Sequence, residues 1–447
     1  MVEKIGSRVV LPSERGAGDD SVAIVNGRVI DPVNRIDDTL TVCVKDGGIV
    51  SVTPGIPDGF TAGRTVDARG MWVVPGLVDM HVHLREPGRE DKETIMTGAC
   101  AAAAGGFTAV ACMPNTTPVL DEESKIRYVV QRAERCPCRV YPIGSITKGL
   151  LGEELSPFGE MVRAGAVAVS DDGKAVQKTN VMRNALNYSK SFNIPVICHS
   201  EDSALSAQGH MNESESSTRF GIYGIPSIAE DVCVSRDILL AEYTGARIHI
   251  AHVSTAGSVR LVREAKKRGV RVTCETCPHY FTLTDECIST YDTNKKMNPP
   301  LRTRTDREAV IEGLVDGTID VIASDHAPHV PEDKIVEFNA AANGVIGLET
   351  SLAVTLSVLV AKDLLLPADL VEKMCVMPGR ILGLAGGSLG AGAAADITII
   401  DPKRAWKVDP AGFYSKARNC AFNGFELAGC AHMTILDGAI VYERTDR

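Results

Sequence analysis

The chain has 447 residues, of which 44% are hydrophobic and 23% are charged, and this length predicts one large barrel with a smaller unit, or two to three domains. The net charge of -10 argues against a general nucleic-acid binder, which usually carries a basic face. The 13 scattered cysteines favour a reducing compartment and exclude a dense disulfide framework.

The first segment, residues 1–20, is polar and irregular, and we expect a flexible leader there. It lacks the apolar stretch of a secretory signal. The most apolar helical run is interrupted by Lys362 and Asp363 and falls short of the ~20 residues that span a bilayer. We therefore expect a cytoplasmic enzyme with no membrane partner.

Both ends of the remaining chain are rich in predicted strands. Over residues 21–75, β-branched runs alternate with Asn-Gly, Asp-Gly-Gly and Pro-Gly turns, and residues 386–447 contain similar runs such as ITIIDP and HMTILDGAIVY. Chain ends often lie close together. We expect the two segments to form one small β-sandwich domain.

Strand-like and helical runs alternate between these segments, over residues 76–385. The strand candidates are GLVDMHVHL, FTAVACMPN, RVYPIGSIT, AVAVSDD, IPVICHSED, ARIHIAHVST, VRVTCETCPHYF and DVIASDHAPH. Eight βα units predict an α/β fold, a (β/α)8 TIM barrel. A doubly wound open sheet is the alternative, but no glycine-rich phosphate loop follows any strand.

Polar residues that suit a metal site follow most of these strands, at the barrel end where the chemistry of this fold lies. Imidazoles and carboxylates are zinc ligands, and a catalytic zinc keeps one position open for water. His81 and His83 face the same side of their strand, whereas His249 and His252 face opposite sides, and we choose His252 because it is nearer the strand end. The residues at the strand ends are His81, His83, Asn115, Asp171, Asp172, His199, His252, Asp325, His326 and His329.

A CxxC motif, Cys274 to Cys277, offers a different metal or redox chemistry. The chain has no second CxxC to complete a structural zinc site. We expect these two residues to be buried thiols that act as small hydrophobic groups.

From about residue 22 to 445, the sequence resembles the long bacterial type of dihydroorotase, within the amidohydrolase superfamily. The motifs that carry this resemblance are PGLVDMHVHLREPG, MPNTTPV, SDDGKAVQ, CHSED, HVSTAGSVRLVREAK, KMNPPLR, ASDHAPH and GVIGLET. The resemblance implies a reversible, zinc-dependent cyclisation of N-carbamoyl-L-aspartate to L-dihydroorotate and water, a step of de novo pyrimidine (UMP) biosynthesis.

The resemblance also implies two zinc ions per subunit. One ion would be bound by His81, His83 and Asp325, and the other by His199 and His252, with Asp172 and a hydroxide as bridges. Some relatives use a carboxylated lysine as the bridge. The Asp171–Asp172 pair points to the aspartate-bridged subgroup, and Lys174 is not expected to be a carbamate. Asp325 would in addition be the catalytic proton acceptor.

On the substrate side, the resemblance implies that a carboxylate is held by Arg85, Asn115 and His329. A guanidinium binds a carboxylate bidentately, although a surface salt bridge with Glu86 or Glu90 is the simpler reading of Arg85. His326 would face away in a supporting role. Many relatives carry an aromatic or proline-rich pair before GVIGLET, where this chain reads AANG. The further substrate contacts would be His83, Asn298 and the backbone of Asn343 and Gly344.

Two other functions stay open from the sequence. One is another cyclic amidohydrolase, an allantoinase or a dihydropyrimidinase, against which Arg85 and the missing bridging lysine argue. The other is a non-catalytic scaffold subunit, which would have lost metal ligands. The sequence leaves open a homodimer and a partnership with aspartate transcarbamoylase.

Overall fold

The computed structural model describes residues 2–4, 6–12 and 21–445. The strands in these ranges are β1 (Val2–Lys4), β2 (Ser7–Val9), β3 (Val22–Asp31), β4 (Ile36–Lys45), β5 (Gly48–Thr53), β6 (Arg64–Asp67), β7 (Trp72–Pro75), β8 (Leu77–Val82), β9 (Phe107–Cys112), β10 (Arg139–Pro142), β11 (Val169–Ser170), β12 (Val196–Cys198), β13 (Met211–Asn212), β14 (Gly224–Ile225), β15 (Ile248–Ile250), β16 (Val272–Thr276), β17 (Val321–Ile322), β18 (Ile397–Lys407), β19 (Glu426–Leu436) and β20 (Ala439–Arg444).

The α-helices in the same ranges are α1 (Ile95–Ala104), α2 (Glu123–Ala133), α3 (Phe158–Ala164), α4 (Thr179–Ser189), α5 (Ser203–Ser206), α6 (Glu215–Phe220), α7 (Ile228–Thr244), α8 (Ala256–Lys267), α9 (Pro278–Thr282), α10 (Arg304–Val315), α11 (Pro331–Lys334), α12 (Ser351–Thr355), α13 (Pro367–Val371) and α14 (Met377–Leu382). Two π-helical turns, Leu356–Val360 and Glu372–Val376, continue α12 and α13. No helix of the described ranges is both long and apolar enough to cross a bilayer.

Eight parallel strands close into a barrel. Strands β8, β9 and β10 pair in one sheet, and β11, β12, β15, β16 and β17 pair in another. Two parallel bridges join the sheets, Gly144 to Val169 and Val82 to His326. The predicted TIM barrel is therefore confirmed, and each of the eight strands lies in one of the eight predicted runs.

Burial explains why the barrel strands read as apolar runs. Every residue of β8 and of β9 is buried, as expected for parallel strands covered on both faces. β8 also contains the polar residues Asp79 and His81. The carboxylate of Asp79 accepts hydrogen bonds from the amides of His81 and Ser324 at 3.1 Å. Asp79 thus ties the first barrel strand to the segment that follows the last one.

The two chain ends meet in one ten-stranded sheet, as the sequence predicted. Its hydrogen-bonded order is β1-β2-β20-β19-β18-β7-β3-β4-β5, with β6 beside β3. It has a hydrophobic core of its own, to which both ends contribute, for example Val42 and Val73 from one end and Ile397 and Ile435 from the other. The proposed domain boundaries at 75/76 and 385/386 lie between β7 and β8, and between α14 and β18.

The flexible leader expected over residues 1–20 is replaced by strands in its first part. Strand β2 pairs antiparallel with β20, and Ser7 faces Arg444 in the register. Val9 is fully buried in the main core. Burial of the Val9 side chain and backbone pairing with β20 stabilise this segment as a strand. Residues 13–20 of the predicted leader lie outside the described residues.

Candidate metal centre and substrate cavity

Six predicted metal ligands gather at the carboxyl ends of the barrel strands. His81 lies in β8, and the others follow their strands by one to three residues. All six side chains are buried. The set is His81, His83, Asp172, His199, His252 and Asp325.

Five of the six residues form two overlapping groups. His81, His83 and Asp325 each offer one ligand atom within 4.8 Å of the others, and so do His81, Asp172 and His252. His83 Nε2 lies 3.1 Å from Asp325 Oδ1. His81 belongs to both groups.

Asp172 lies between the histidines, as a bridging carboxylate would. Its Oδ1 is 3.3 Å from His81 Nε2 and 3.4 Å from His252 Nε2, and its Oδ2 is 3.4 Å from His83 Nε2. His199 completes the cluster, with Nδ1 2.9 Å from His252 Nε2 and 3.7 Å from Asp172 Oδ1. The histidines hold the pKa of Asp172 well below its usual range, although burial opposes ionisation.

The protonation pattern of the first two histidines fits a divalent cation. His81 Nδ1 donates to Glu275 Oε1 at 2.5 Å, and His83 Nδ1 donates to Asn115 Oδ1 at 2.9 Å. Each ring therefore directs an Nε2 lone pair toward the carboxylates. His81 Nε2 and Asp172 Oδ1 are buried without a hydrogen-bond partner among the described residues. Imidazole nitrogens and carboxylate oxygens are a donor set that zinc accepts.

Asp171, the other carboxylate of the pair, is engaged elsewhere. Its Oδ1 accepts the amides of Ile146 and Thr147 at 2.8 and 3.0 Å, and its Oδ2 accepts the Thr147 hydroxyl. Burial raises the pKa of Asp171 to about 6. Lys174 is exposed. The geometry therefore favours Asp172 over Asp171 as the bridge.

Backbone conformation, rather than strand alternation, orients three of the predicted site residues. Arg85, His252 and Asp325 have φ angles of 61°, 36° and 47°. Residues other than glycine rarely adopt this left-handed region, which costs free energy and clusters at functional sites. The choice of His252 from strand alternation assumed that the strand continues to that residue, but β15 ends at Ile250. The direction of the His252 ring is set by the backbone turn at His252 instead.

A buried network behind His81 was missed in the sequence. Glu275 Oε2 accepts a hydrogen bond from His249 Nε2 at 3.2 Å, and Thr273 lies 2.8 Å from His249 Nδ1. Glu275 is the second residue of the CETC motif. In β16, Thr273 and Glu275 lie on one face of the strand and Cys274 on the other, and this alternation was the available signal.

The thiols of this motif behave as expected. Cys274 and Cys277 are free and fully buried, and burial raises the pKa of Cys274 to about 12. The candidate metal groups found among the described residues contain no cysteine.

A cavity of about 180 Å³ opens beside the metal ligands. All seven residues predicted to contact the substrate line it. They are His83, Arg85, Asn115, Asn298, His329, Asn343 and Gly344.

Arg85 is a partly buried cation in this cavity. Its Nε donates to the carbonyl of Pro328 at 3.1 Å. Burial lowers the pKa of the guanidinium to about 10, so it stays charged at neutral pH. The alternative prediction, a surface salt bridge between Arg85 and Glu86, is not observed, because Glu86 pairs with Arg132 at 2.8 Å. Glu90 accepts the Gly88 amide instead.

His329 also lines this cavity, where it is neutral and held by hydrogen bonds. Burial lowers the pKa of its imidazole to about 3, and the positive charge of Arg85 adds to this shift. Its Nε2 donates to the carbonyl of Asn343 at 2.8 Å, which leaves Nδ1 to accept from Lys92 Nζ at 3.2 Å. His326, which we expected to face away, lies with Nε2 3.5 Å from Glu93.

A second residue missed in the sequence comes from the C-terminal segment. Asn419 Nδ2 donates to the carbonyls of Ala327 and Gly344 at 3.0 and 3.1 Å, and its Oδ1 accepts the amide of His329 at 3.1 Å. One buried amide thus joins the loop of Gly344, where the backbone contacts are expected, to the loop that carries His329. Gly344 has φ 115°, a conformation that suits glycine.

A (β/α)8 barrel with histidines and aspartates at its strand ends defines a metal-dependent hydrolase of the amidohydrolase type. The solved structures agree on the fold. The L-hydantoinase (dihydropyrimidinase) from Arthrobacter aurescens is 27% identical, covers 96% of this chain and 97% of its own, and superposes with a TM-score of 0.86. A dihydropyrimidinase from Brevibacillus agri, 21% identical over 95% of this chain and 96% of its own, has a TM-score of 0.81.

Sequence comparison narrows this class. A family profile described as "Dihydro-orotase-like" matches residues 70–258. A dihydroorotase from Pelobacter propionicus is 53% identical over 427 residues, which cover 95% of this chain and 100% of the relative. A dihydroorotase from Citrifermentans bemidjiense is 53% identical over 426 residues, with the same coverage. The chain belongs to the dihydroorotase family.

Proposed function

We propose that this chain is a zinc-dependent dihydroorotase that interconverts N-carbamoyl-L-aspartate and L-dihydroorotate in pyrimidine biosynthesis. The observation that carries the proposal is one small cavity in which His/Asp metal groups face a partly buried, charged arginine. A cyclic amide that carries a carboxylate needs both features. An allantoinase or a dihydropyrimidinase has no substrate carboxylate for Arg85 to bind.

The proposed ligand sets are those of the sequence analysis. His81, His83 and Asp325 would hold one zinc ion, and His199 and His252 the other, with Asp172 shared between them. Two such ions would supply Lewis-acid polarisation of the substrate carbonyl and a water of lowered pKa. The retention of every predicted ligand in one buried cluster speaks against a non-catalytic scaffold subunit.

The protein groups would bind the substrate and move one proton. Arg85 would pair with the substrate carboxylate, and Asn115 and His329, which line the same cavity, would contact it as well. Asp325 Oδ1, 3.1 Å from His83 Nε2, would take the proton of the attacking water and return it to the leaving amide nitrogen. Ring closure would reverse these transfers.

A zinc-supplemented assay of ring opening tests this proposal. We expect turnover of L-dihydroorotate and little or none of allantoin and dihydrouracil. Preferential turnover of either of the other two rings would contradict the proposed substrate, and no turnover of any ring by the zinc-loaded protein would revive the scaffold alternative. A cytoplasmic location is proposed as well, because buried free thiols such as Cys274 suit a reducing compartment.

A further inference from the structure

Asn298 lies in the wall of the cavity, and its amide has a determined orientation. Asn298 Nδ2 donates to Glu201 Oε2 at 2.7 Å. A carboxylate can only accept hydrogen bonds, so the nitrogen side of the amide has to face Glu201. The carbonyl oxygen, Oδ1, therefore points away from Glu201.

That carbonyl oxygen has unused hydrogen-bonding capacity. Asn298 Oδ1 is buried and has no hydrogen-bond partner among the described residues. A buried acceptor without a donor is unfavourable, because it has lost its hydrogen bonds to water and gained none in the protein. Because Asn298 lines the cavity beside Arg85 and Asp325, a bound ligand is the natural source of the missing N–H.

Glu201 is itself held in place. It lies three residues beyond the end of β12, and its Oε1 accepts the hydroxyl of Ser206 at 2.6 Å. Its Oε2, which receives the Asn298 amide, is also 3.9 Å from His199 Nε2. With one oxygen occupied by Ser206, the carboxylate has little freedom to turn away from Asn298.

We propose that Glu201 is a positioning residue that fixes the amide of Asn298, so that the Asn298 carbonyl accepts an N–H of the substrate. This inference rests on the proposed function and adds a second selection rule to it. Arg85 would select the carboxylate, and the Glu201–Asn298 pair would select a ring with a free amide N–H. Both substrates of the proposed reaction carry such N–H groups.

A double-mutant cycle tests this role. The variants are Glu201→Gln, Asn298→Ala and the double variant, assayed for kcat and KM with L-dihydroorotate. A glutamine can either accept or donate toward Asn298, so it releases the amide orientation without removing bulk. We expect Glu201→Gln to raise KM by roughly tenfold with a smaller change in kcat, and to change KM less than about twofold when Asn298 is already alanine.

Equal KM increases in both backgrounds would overturn the role of Glu201, because its effect would then not pass through Asn298. Glu153→Gln is the matched control. Glu153 is an exposed glutamate that pairs with Lys178 at the rim of a neighbouring cavity, and its variant should keep the wild-type KM.

Two further measurements separate this inference from its alternatives. Zinc content should be the same in Glu201→Gln and wild type; a loss of zinc would assign the effect to His199 and overturn the proposal. Of the two dihydroorotates that are methylated at one of the two ring nitrogens, at least one should be rejected by wild type and less so by Asn298→Ala; no such difference for either would overturn the role of the Asn298 carbonyl. Wild-type protein that turns over no dihydroorotate at all would contradict the proposed function, a result distinct from equal losses in the cycle.

Discussion

His81 and Glu275 share a hydrogen bond of 2.5 Å between Nδ1 and Oε1 inside the barrel, with both side chains fully buried. Glu275 selects the tautomer of His81 that leaves Nε2 facing the candidate metal groups. Such a partner orients a ligating histidine and increases its basicity.

Replacement of Glu275 by glutamine should lower zinc affinity about 10- to 100-fold. The amide cannot replace the carboxylate as a charged acceptor for both His81 and His249. Competition with a chromophoric chelator measures the affinity directly. Glu93→Gln is the control, because Glu93 is also buried but contacts His326 and Ser415 instead of a candidate ligand. Equal zinc affinities in the two variants would contradict the role of Glu275.

Substitution of the neighbouring residues Asp171 and Asp172 should have different effects on zinc binding and on stability. Asp172→Asn should lose bound zinc and ring-opening activity, because Asp172 contacts His81, His83 and His252. Asp171→Asn should keep its zinc and lose roughly 1–3 kcal/mol of unfolding free energy, since it disturbs a buried acceptor of three hydrogen bonds. Metal analysis together with urea denaturation distinguishes the two. If only Asp171→Asn lost zinc, Asp171 would be the metal ligand and Asp172 the structural residue.

The parts of this molecule that could be predicted are those that depend on local periodicity. The alternation of strand and helix runs predicted the barrel, and the spacing of His81 and His83 predicted that both lie on one face of the strand. The other features depend on tertiary contacts, which local periodicity does not reveal. The composition of the first residues predicted a leader, but β2 pairs with β20, a strand from the other end of the chain, and Val9 is buried in the main core.

Residues that meet only through the closed barrel could not be derived from the sequence. Glu275 and His81 are 194 positions apart, and their contact depends on the register across the barrel interior. Asn419 lies in a different part of the chain from the loops it joins. The ring direction of His252 follows from a positive φ after the strand has ended, which strand alternation does not describe.

Arg85→Met should reduce kcat/KM for L-dihydroorotate by roughly 100-fold, because truncation of one partner of a buried charge pair costs about 2–5 kcal/mol. Arg89→Met is the matched control. Arg89 is half-exposed and binds Asp91 at the surface, so its variant should retain wild-type kinetics. An equally active Arg85→Met protein would remove the argument for a substrate carboxylate.

Gly344→Ala should displace the cavity wall. A Cβ at this position would lie 2.6 Å from the Cβ of Ala327, and the φ of 115° is strained for any other residue. We expect kcat/KM to fall on the order of 100-fold, since small misplacements of binding groups are costly. Gly392→Ala shares the positive φ, but apart from its chain neighbours no atom of the described residues lies within 4 Å of its added Cβ. This variant should lose stability and keep activity. Equal activities would show that the wall tolerates the shift.

Lys334 should make stability depend on pH in the alkaline range. Its Nζ donates to the carbonyls of Thr293, Lys296 and Ala342, and burial lowers its pKa from 10.5 to about 7. Between these values the unfolded chain binds the proton that the folded protein has lost. The stabilising contribution is therefore complete above pH 10.5 and is lost as the pH falls through 7.

Urea unfolding at pH 7.5 and 9.5 checks this expectation. The unfolding free energy of wild type minus that of Lys334→Met should rise with pH, by up to roughly 1.4 kcal/mol per unit. Lys362→Met removes an exposed lysine, and its difference from wild type should stay flat. A flat difference for Lys334→Met as well would mean that this ammonium keeps its proton in the folded protein, held by its three carbonyl partners.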